Sequence, residues 1–295
     1  GKVTALELAR AGAQVDLACR SAAKTAPVVD EIKRVTGNDA VRFYPIDLTD
    51  LGSVRACADA LLAEPTPIHT LINNAGMAGL RGQTAAGFEL AFAANHLGHY
   101  LLTRLLLPRL TAAAPARVVN VSSRSHYQAK GIDWAALRQP SKSYTGMTEY
   151  AVSKLCNVLF TKELARRTEG TGVTTYALHP GVIASDIWGR RMPRPLAWLA
   201  TRFMITTEQG ALTTLHCATA LELAATVPVP GSEVVELKGR VDRLERDAEG
   251  NVVVVDLKTG KYFPTVSEVT AHDHLGFYQH VINNGAADAL VGEQA

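Results

Sequence analysis

Two rhythms of apolar and polar positions alternate through residues 1–220. Lys2–Ala11 sets Val3, Leu6 and Leu8 at helical spacing and stops at Gly12. Val29–Val35, Ser53–Ala63, Gly87–Leu110 and Glu149–Arg167 read as further helices, the third as one long helix or a bent pair ending near Pro108. Between them stand short apolar runs at Gln14–Ala18, Val41–Pro45, Thr70–Asn73, Arg117–Ser122 and Thr174–Leu178. This alternation predicts an α/β fold, a parallel sheet with helices on both faces. Such sheets bind ligands at the carboxyl ends of their strands. The chemistry is therefore expected in the turns that follow them.

The text changes after residue 220. Residues 1–220 carry 24 Lys and Arg against 16 Asp and Glu, whereas residues 221–295 carry 6 against 12. Ala224–Gly231 contains two prolines and a glycine and reads as a linker. The expected domains are 1–222, a linker over 223–232, and a small α+β segment over 233–295. Beyond the linker, Glu236–Glu245 and Asn251–Lys258 read as two strands of a hairpin around Ala248-Glu249-Gly250.

With 47% hydrophobic and 20% charged residues, the chain is not globally disordered. No apolar run approaches the roughly 18 residues of a membrane span, and no secretory signal is visible. Cys19, Cys57, Cys156 and Cys217 lie far apart, as buried thiols do in a reducing cytoplasm.

Tyr150 and Lys154 stand at i and i+4 of a helix and so project from one face. A cation one turn from a phenol favours the phenolate, so the pair can move a proton at a carbonyl or alcohol oxygen. Alone, this spacing is a weak signal and reads as an ordinary exposed helix. Its company is more informative: Ser122-Ser123, Asn73-Asn74-Ala75-Gly76 and His179-Pro180-Gly181 each end a strand, and Asn95 sits inside a helix. Ser122 can be a plain strand-end hydroxyl, and His96, His99 and His126 read as packing or surface residues.

In this order, NNAG, the strand-end serine, YAVSK and HPG resemble the short-chain dehydrogenase/reductase family. FAANHLGHYLLT, RVVNVSSRSHY, SKLCNVLFTKELARR and EQGALTTLHCAT are similar to its retinol-dehydrogenase-like branch. The resemblance implies a Rossmann-like doubly wound sheet and hydride transfer between a nicotinamide and a small hydrophobic carbonyl or alcohol. It implies Tyr150 as acid/base, with Lys154 holding the nicotinamide ribose and lowering the phenol pKa. Ser123 would orient the substrate oxygen, and Asn95 would complete a proton relay through water. Asn74, Ala75, Gly76, Asp47, Leu48, Pro180, Gly181, Val182 and Ser185 match cofactor-contacting positions. Gly1 matches the last glycine of the family's phosphate loop, so the sheet is expected to lack its first strand. Ile187–Met204 is expected to be a substrate lid, with a membrane-surface helix as the alternative. A homodimer is the family's habit.

Charge at the strand ends bears on the cofactor. NAD-preferring members place an acid at the end of the second strand. Here that strand runs into Cys19-Arg20, and Arg20 can pair with a 2′-phosphate. Asp16 falls too early in the strand to serve. NADP is expected over NAD.

In the tail, GRVDRLERD and VVVVDLKTG resemble a partial PD-(D/E)XK nuclease module of a helicase-nuclease. The resemblance places Asp242 and Asp256 as Mg²⁺ ligands with Lys258 beside them. The net negative tail is unfavourable for holding nucleic acid. A metal-dependent nuclease is the alternative function, and a chimeric remnant without activity the third.

Overall fold

The computed structural model describes residues 1–183, 204–219, 221–227, 235–241, 243–246 and 252–255. The chain divides into two units, Gly1–Ala218 and Thr219–Ala295.

In the first unit, α1 (Lys2–Arg10), β1 (Val15–Cys19), α2 (Ala22–Thr36), β2 (Val41–Pro45), α3 (Leu51–Ala63) and β3 (Thr70–Asn73) follow one another. After a long turn come α4 (Leu90–Phe92), a π-turn (Ala93–Leu97) and α5 (Gly98–Ala112), which run on without a break. β4 (Ala116–Val121), α6 (Met147–Arg167), β5 (Val173–Leu178) and α7 (Thr207–Thr219) complete the unit. All its strand pairs are parallel, β1 with β2, β3 with β4 and β4 with β5. They form two ladders, β1–β2 and β3–β4–β5, with no described ladder bond between them.

Packing joins what the backbone does not. Tyr44 and Ile46 at the end of β2 share one buried cluster with Val54 and Leu61 of α3, Leu106 and Leu110 of α5, and Val118 of β4. A second cluster closes α1 and α2 over the small ladder through Ala5, Ala9, Ile32, Val15 and Val41. Burying a Val, Leu or Ile side chain contributes about 1.5–3 kcal/mol. These clusters therefore set where the strand ends lie.

Helix limits follow local chemistry. α2 starts seven residues before the expected Val29 because the Ser21 side chain caps it, accepting from Lys24 N, and it ends on Gly37 in the left-handed region. α4 starts at Leu90 rather than near Gly87, where the buried Glu89 carboxylate accepts from Phe92 N at 2.7 Å. α5 continues past Pro108 to Ala112.

In the second unit, β6 (Leu221–Val227) pairs antiparallel with β7 (Val235–Val241). β8 (Arg243–Arg246) pairs antiparallel with β9 (Val252–Val255), the arms of the expected hairpin. Two expectations need correction. Strand β6 occupies the first part of the segment read as a linker, whose prolines begin only at Pro228 and so leave Leu221–Val227 free to pair. The first hairpin strand is two strands, β7 and β8, on either side of residue 242.

Candidate active site at the strand ends

The catalytic candidates converge around the amino end of α6. Tyr150 and Lys154 lie one turn apart, with Lys154 Nζ 5.7 Å from the Tyr150 ring centroid. Lys154 is buried and its ammonium donates to Val121 O at 2.8 Å, the last carbonyl of β4. Burial pushes the Lys154 pKa down to about 8. The Tyr150 hydroxyl is raised by burial and lowered in part by a hydrogen bond with Ser123. The expected lowering by Lys154 is therefore not the governing effect: desolvation dominates, and the net shift of the phenol is upward.

Ser122 and Ser123 separate into two tasks. Ser122 Oγ is buried and donates to Lys154 O at 2.8 Å, so it fastens α6 to β4. Ser123 caps the following 3₁₀ turn, accepting from Ser125 N at 3.2 Å, and leaves its hydroxyl beside Tyr150.

Asn95 lies within the π-turn and is fully buried. Its Oδ1 accepts from Met77 N at 2.8 Å, and its Nδ2 donates to Met77 O and to Ser153 Oγ, each at 2.9 Å. The side chain is thus committed to protein partners that hold the turn after β3. π-Turns in helices cluster at functional sites, and this one turns Asn95 O toward Asn157 Nδ2 at 3.1 Å. Asn74, Ala75 and Gly76 in the turn are exposed. A side chain at Gly76 would stand 3.2 Å from Asn95 Oδ1 and 3.5 Å from Lys154 Nζ. The bare backbone of glycine leaves that cradle open, and a side chain would crowd it.

The remaining cofactor candidates surround the same strand ends. Gly1 opens α1 and stands against the Asn74 side chain, which a Cβ there would approach to 2.9 Å. The first N–H groups of a helix attract phosphate. Arg20 is exposed just beyond β1, and its charge reaches Asp47 beyond β2. Burial works to raise the Asp47 carboxyl, but hydrogen bonds from the Thr49 hydroxyl and amide, with Arg20, bring it below its ordinary value. Asp16 is held away by Arg42 Nε at 2.9 Å. Leu48 lies under α5, where a side chain at position 98 would meet Leu48 O, which only glycine avoids. Gly181 has φ +90° and faces Ile205, while Ile205 N donates to Val182 O at 3.1 Å, so the Pro180–Val182 turn is pinned by the approach to α7.

Ser185, most of the expected lid, Asp242, Asp256 and Lys258 lie outside the described residues. Among the described residues, no cluster of His, Cys, Asp and Glu could hold a metal ion, and no helix is long and apolar enough to cross a membrane. His99 is buried, with a pKa pushed down to about 4 by burial, and His96 packs among Phe92, Tyr100 and Phe160.

The sequence reading missed Ser153 and Asn157. They recur at i and i+4 with Thr161 in a polar stripe, all buried. That stripe on a long helix was the available signal.

Parallel strands, crossover helices and a polar constellation at the carboxyl ends define a Rossmann-like α/β protein. The chain belongs to the short-chain dehydrogenase family, whose model matches residues 1–195, and this places it among the oxidoreductases acting on CH–OH donors. Human retinol dehydrogenase 11 is 49% identical over 220 residues, 74% of this chain and 69% of that protein. Retinol dehydrogenase 12 of Mus musculus is 50% identical over 225 residues, 76% of this chain and 71% of that protein. A solved structure from Mycobacterium paratuberculosis is 38% identical with a TM-score of 0.56, covering 74% of this chain and 71% of its own. A short-chain dehydrogenase of Sphingobium yanoikuyae in complex with NADPH, 24% identical with a TM-score of 0.57 over 73% of this chain and 78% of its own, shares the fold. The PD-(D/E)XK nuclease superfamily model also matches, over residues 142–294.

Proposed function

We propose that the chain is an NADP-dependent oxidoreductase interconverting an apolar alcohol and its carbonyl compound, with Tyr150 as the proton donor and acceptor. The observation that carries this reading is the meeting of Tyr150, Ser123 and Lys154 beside the exposed Asn74–Gly76 turn. The residues fit a nicotinamide dinucleotide: Gly76 leaves a cradle against Lys154 and Asn95, Gly1 opens a helix, and Arg20 offers a cation beyond β1. Gly1, Arg20, Asp47, Leu48, Asn74, Ala75, Gly76, Lys154, Pro180, Gly181, Val182 and Ser185 would hold it.

The nicotinamide, when bound, supplies or accepts the hydride. The chain supplies the rest. The raised phenol keeps Tyr150 protonated at neutral pH, ready to give its proton to a carbonyl oxygen that Ser123 Oγ orients. Lys154, one turn away with Nζ 5.7 Å from the ring centroid, is the cation on hand to stabilise the phenolate left behind. In the reverse direction the phenolate takes the alcohol proton. Arg20 supports NADP over NAD, since a guanidinium pairs with a 2′-phosphate and no acid competes at that strand end. The names of the relatives support a retinoid or similar long apolar substrate. Four free thiols, three of them buried, suit a reducing compartment such as the cytosol.

Following NADPH consumption with a long-chain aldehyde tests the proposal. Wild-type chain is expected to turn over and Tyr150→Phe is not; equal rates would remove Tyr150 from the mechanism.

A further inference from the structure

We infer that Ser153 is a positioning residue that couples the proton-transfer turn of α6 to the ligand turn after β3; the inference rests on the proposed role of Tyr150. Ser153 Oγ is fully buried and has one proton and two partners. It donates to Tyr150 O at 2.7 Å and accepts from Asn95 Nδ2 at 2.9 Å. The second Nδ2 hydrogen of Asn95 goes to Met77 O, and Asn95 Oδ1 takes Met77 N. A continuous path thus runs from the Tyr150 carbonyl through one hydroxyl and one carboxamide to the backbone that follows Gly76.

The path is saturated, and that gives it direction. A carboxamide can turn over and exchange its oxygen and nitrogen. Met77 offers Asn95 a donor and an acceptor, which fit Oδ1 and Nδ2 in one orientation only; Ser153 supplies a further acceptor for the second Nδ2 hydrogen and strengthens that choice. Because the Ser153 proton is spent on Tyr150 O, its oxygen can only accept from Asn95. Met77 sets which end of Asn95 is which, and the hydroxyl takes the remaining Nδ2 hydrogen and so ties that orientation to α6. Removing it leaves a buried N–H unpaired, a cost the site can relieve by letting Asn95 and the Met77 turn move.

The test is amide exchange at Met77, with NADPH titration and turnover, in the full chain carrying Ser153→Ala. Exchange at Met77 is expected to quicken about tenfold, the worth of one hydrogen bond. The turnover number is expected to fall about tenfold, more than KM rises, and NADPH affinity a few-fold. Ser153→Thr, which keeps the hydroxyl, is expected to restore all three. Ser153→Cys carries the same measurements if the alanine variant fails to fold. Thr168→Ala removes an equally buried hydroxyl at the far end of α6 and is expected to lower the melting temperature without altering Met77 exchange or turnover. Ser153→Ala behaving like Thr168→Ala would overturn the coupling. If Met77 responds to Ser153→Ala while Tyr150→Phe leaves turnover intact, the proton-transfer role of Tyr150 falls and the structural coupling stands.

Discussion

In the three-stranded ladder, buried amides and hydroxyls tie the strands to one another and to α6. Asn73 Nδ2 donates to Asn120 Oδ1 at 2.8 Å, and Asn120 Nδ2 to Thr161 Oγ1 at 2.9 Å. In the two-stranded ladder the side-chain tie from strand to strand is the partly exposed ion pair of Arg42 with Asp16, which Arg42 extends to Glu64, over an apolar cluster. Directional bonds in a dry interior fix positions to fractions of an ångström, whereas a partly solvated ion pair and an apolar face tolerate sliding. The first ladder carries the proposed proton chemistry, which needs such placement. The second carries Arg20, which need only present a charge.

Tyr150→Phe is expected to lower turnover by about 10² to 10⁴ and to leave NADPH affinity within a few-fold; steady-state kinetics beside a binding titration checks both. Asn120→Ala should destabilise by about 2–4 kcal/mol, because Asn73 Nδ2 and Thr161 Oγ1 lose a buried partner. Arg42→Ala, its counterpart in the other ladder, should cost no more than about 1 kcal/mol. Equal losses in urea unfolding would erase the distinction between the ladders.

Arg20→Ala should weaken NADPH binding by about 1.5–3 kcal/mol and barely alter NADH. The same loss for both cofactors would show that Arg20 does not read the 2′-phosphate.

Lys154 gives a modest effect on stability, with a defined sign. Its pKa falls from 10.5 to about 8 on folding through burial. Between those values the unfolded chain binds more protons, so stability should rise as pH increases through that window and the burial penalty is fully present below it. Lys154→Met should accordingly gain about 1–2 kcal/mol at neutral pH while losing activity. A variant less stable than wild type at neutral pH would contradict that sign.

Much of the fold was legible because strands and helices advertise themselves by period. Val41–Pro45 and Thr70–Asn73 stand where the apolar runs placed them. The caps were harder: Ser21 and Glu89 set helix starts by single side-chain bonds that periodicity does not register. Tyr150, Lys154, Ser123 and the Asn74–Gly76 turn were visible through motif and strand-end position. What they share was not. Desolvation of Tyr150 and the commitment of Asn95 to Met77 depend on residues brought together from distant segments. β6 was hidden by prolines that follow it rather than interrupt it.

The most direct test is label transfer. NADPH carrying deuterium at both nicotinamide C4 positions is mixed with the full chain and a long-chain aldehyde, and the alcohol is analysed by mass spectrometry. The account predicts one deuterium on the new CH–OH carbon, formed by wild type and reduced at least about a hundredfold in Tyr150→Phe. Alcohol formed without label, or label transferred equally well by Tyr150→Phe, would contradict it.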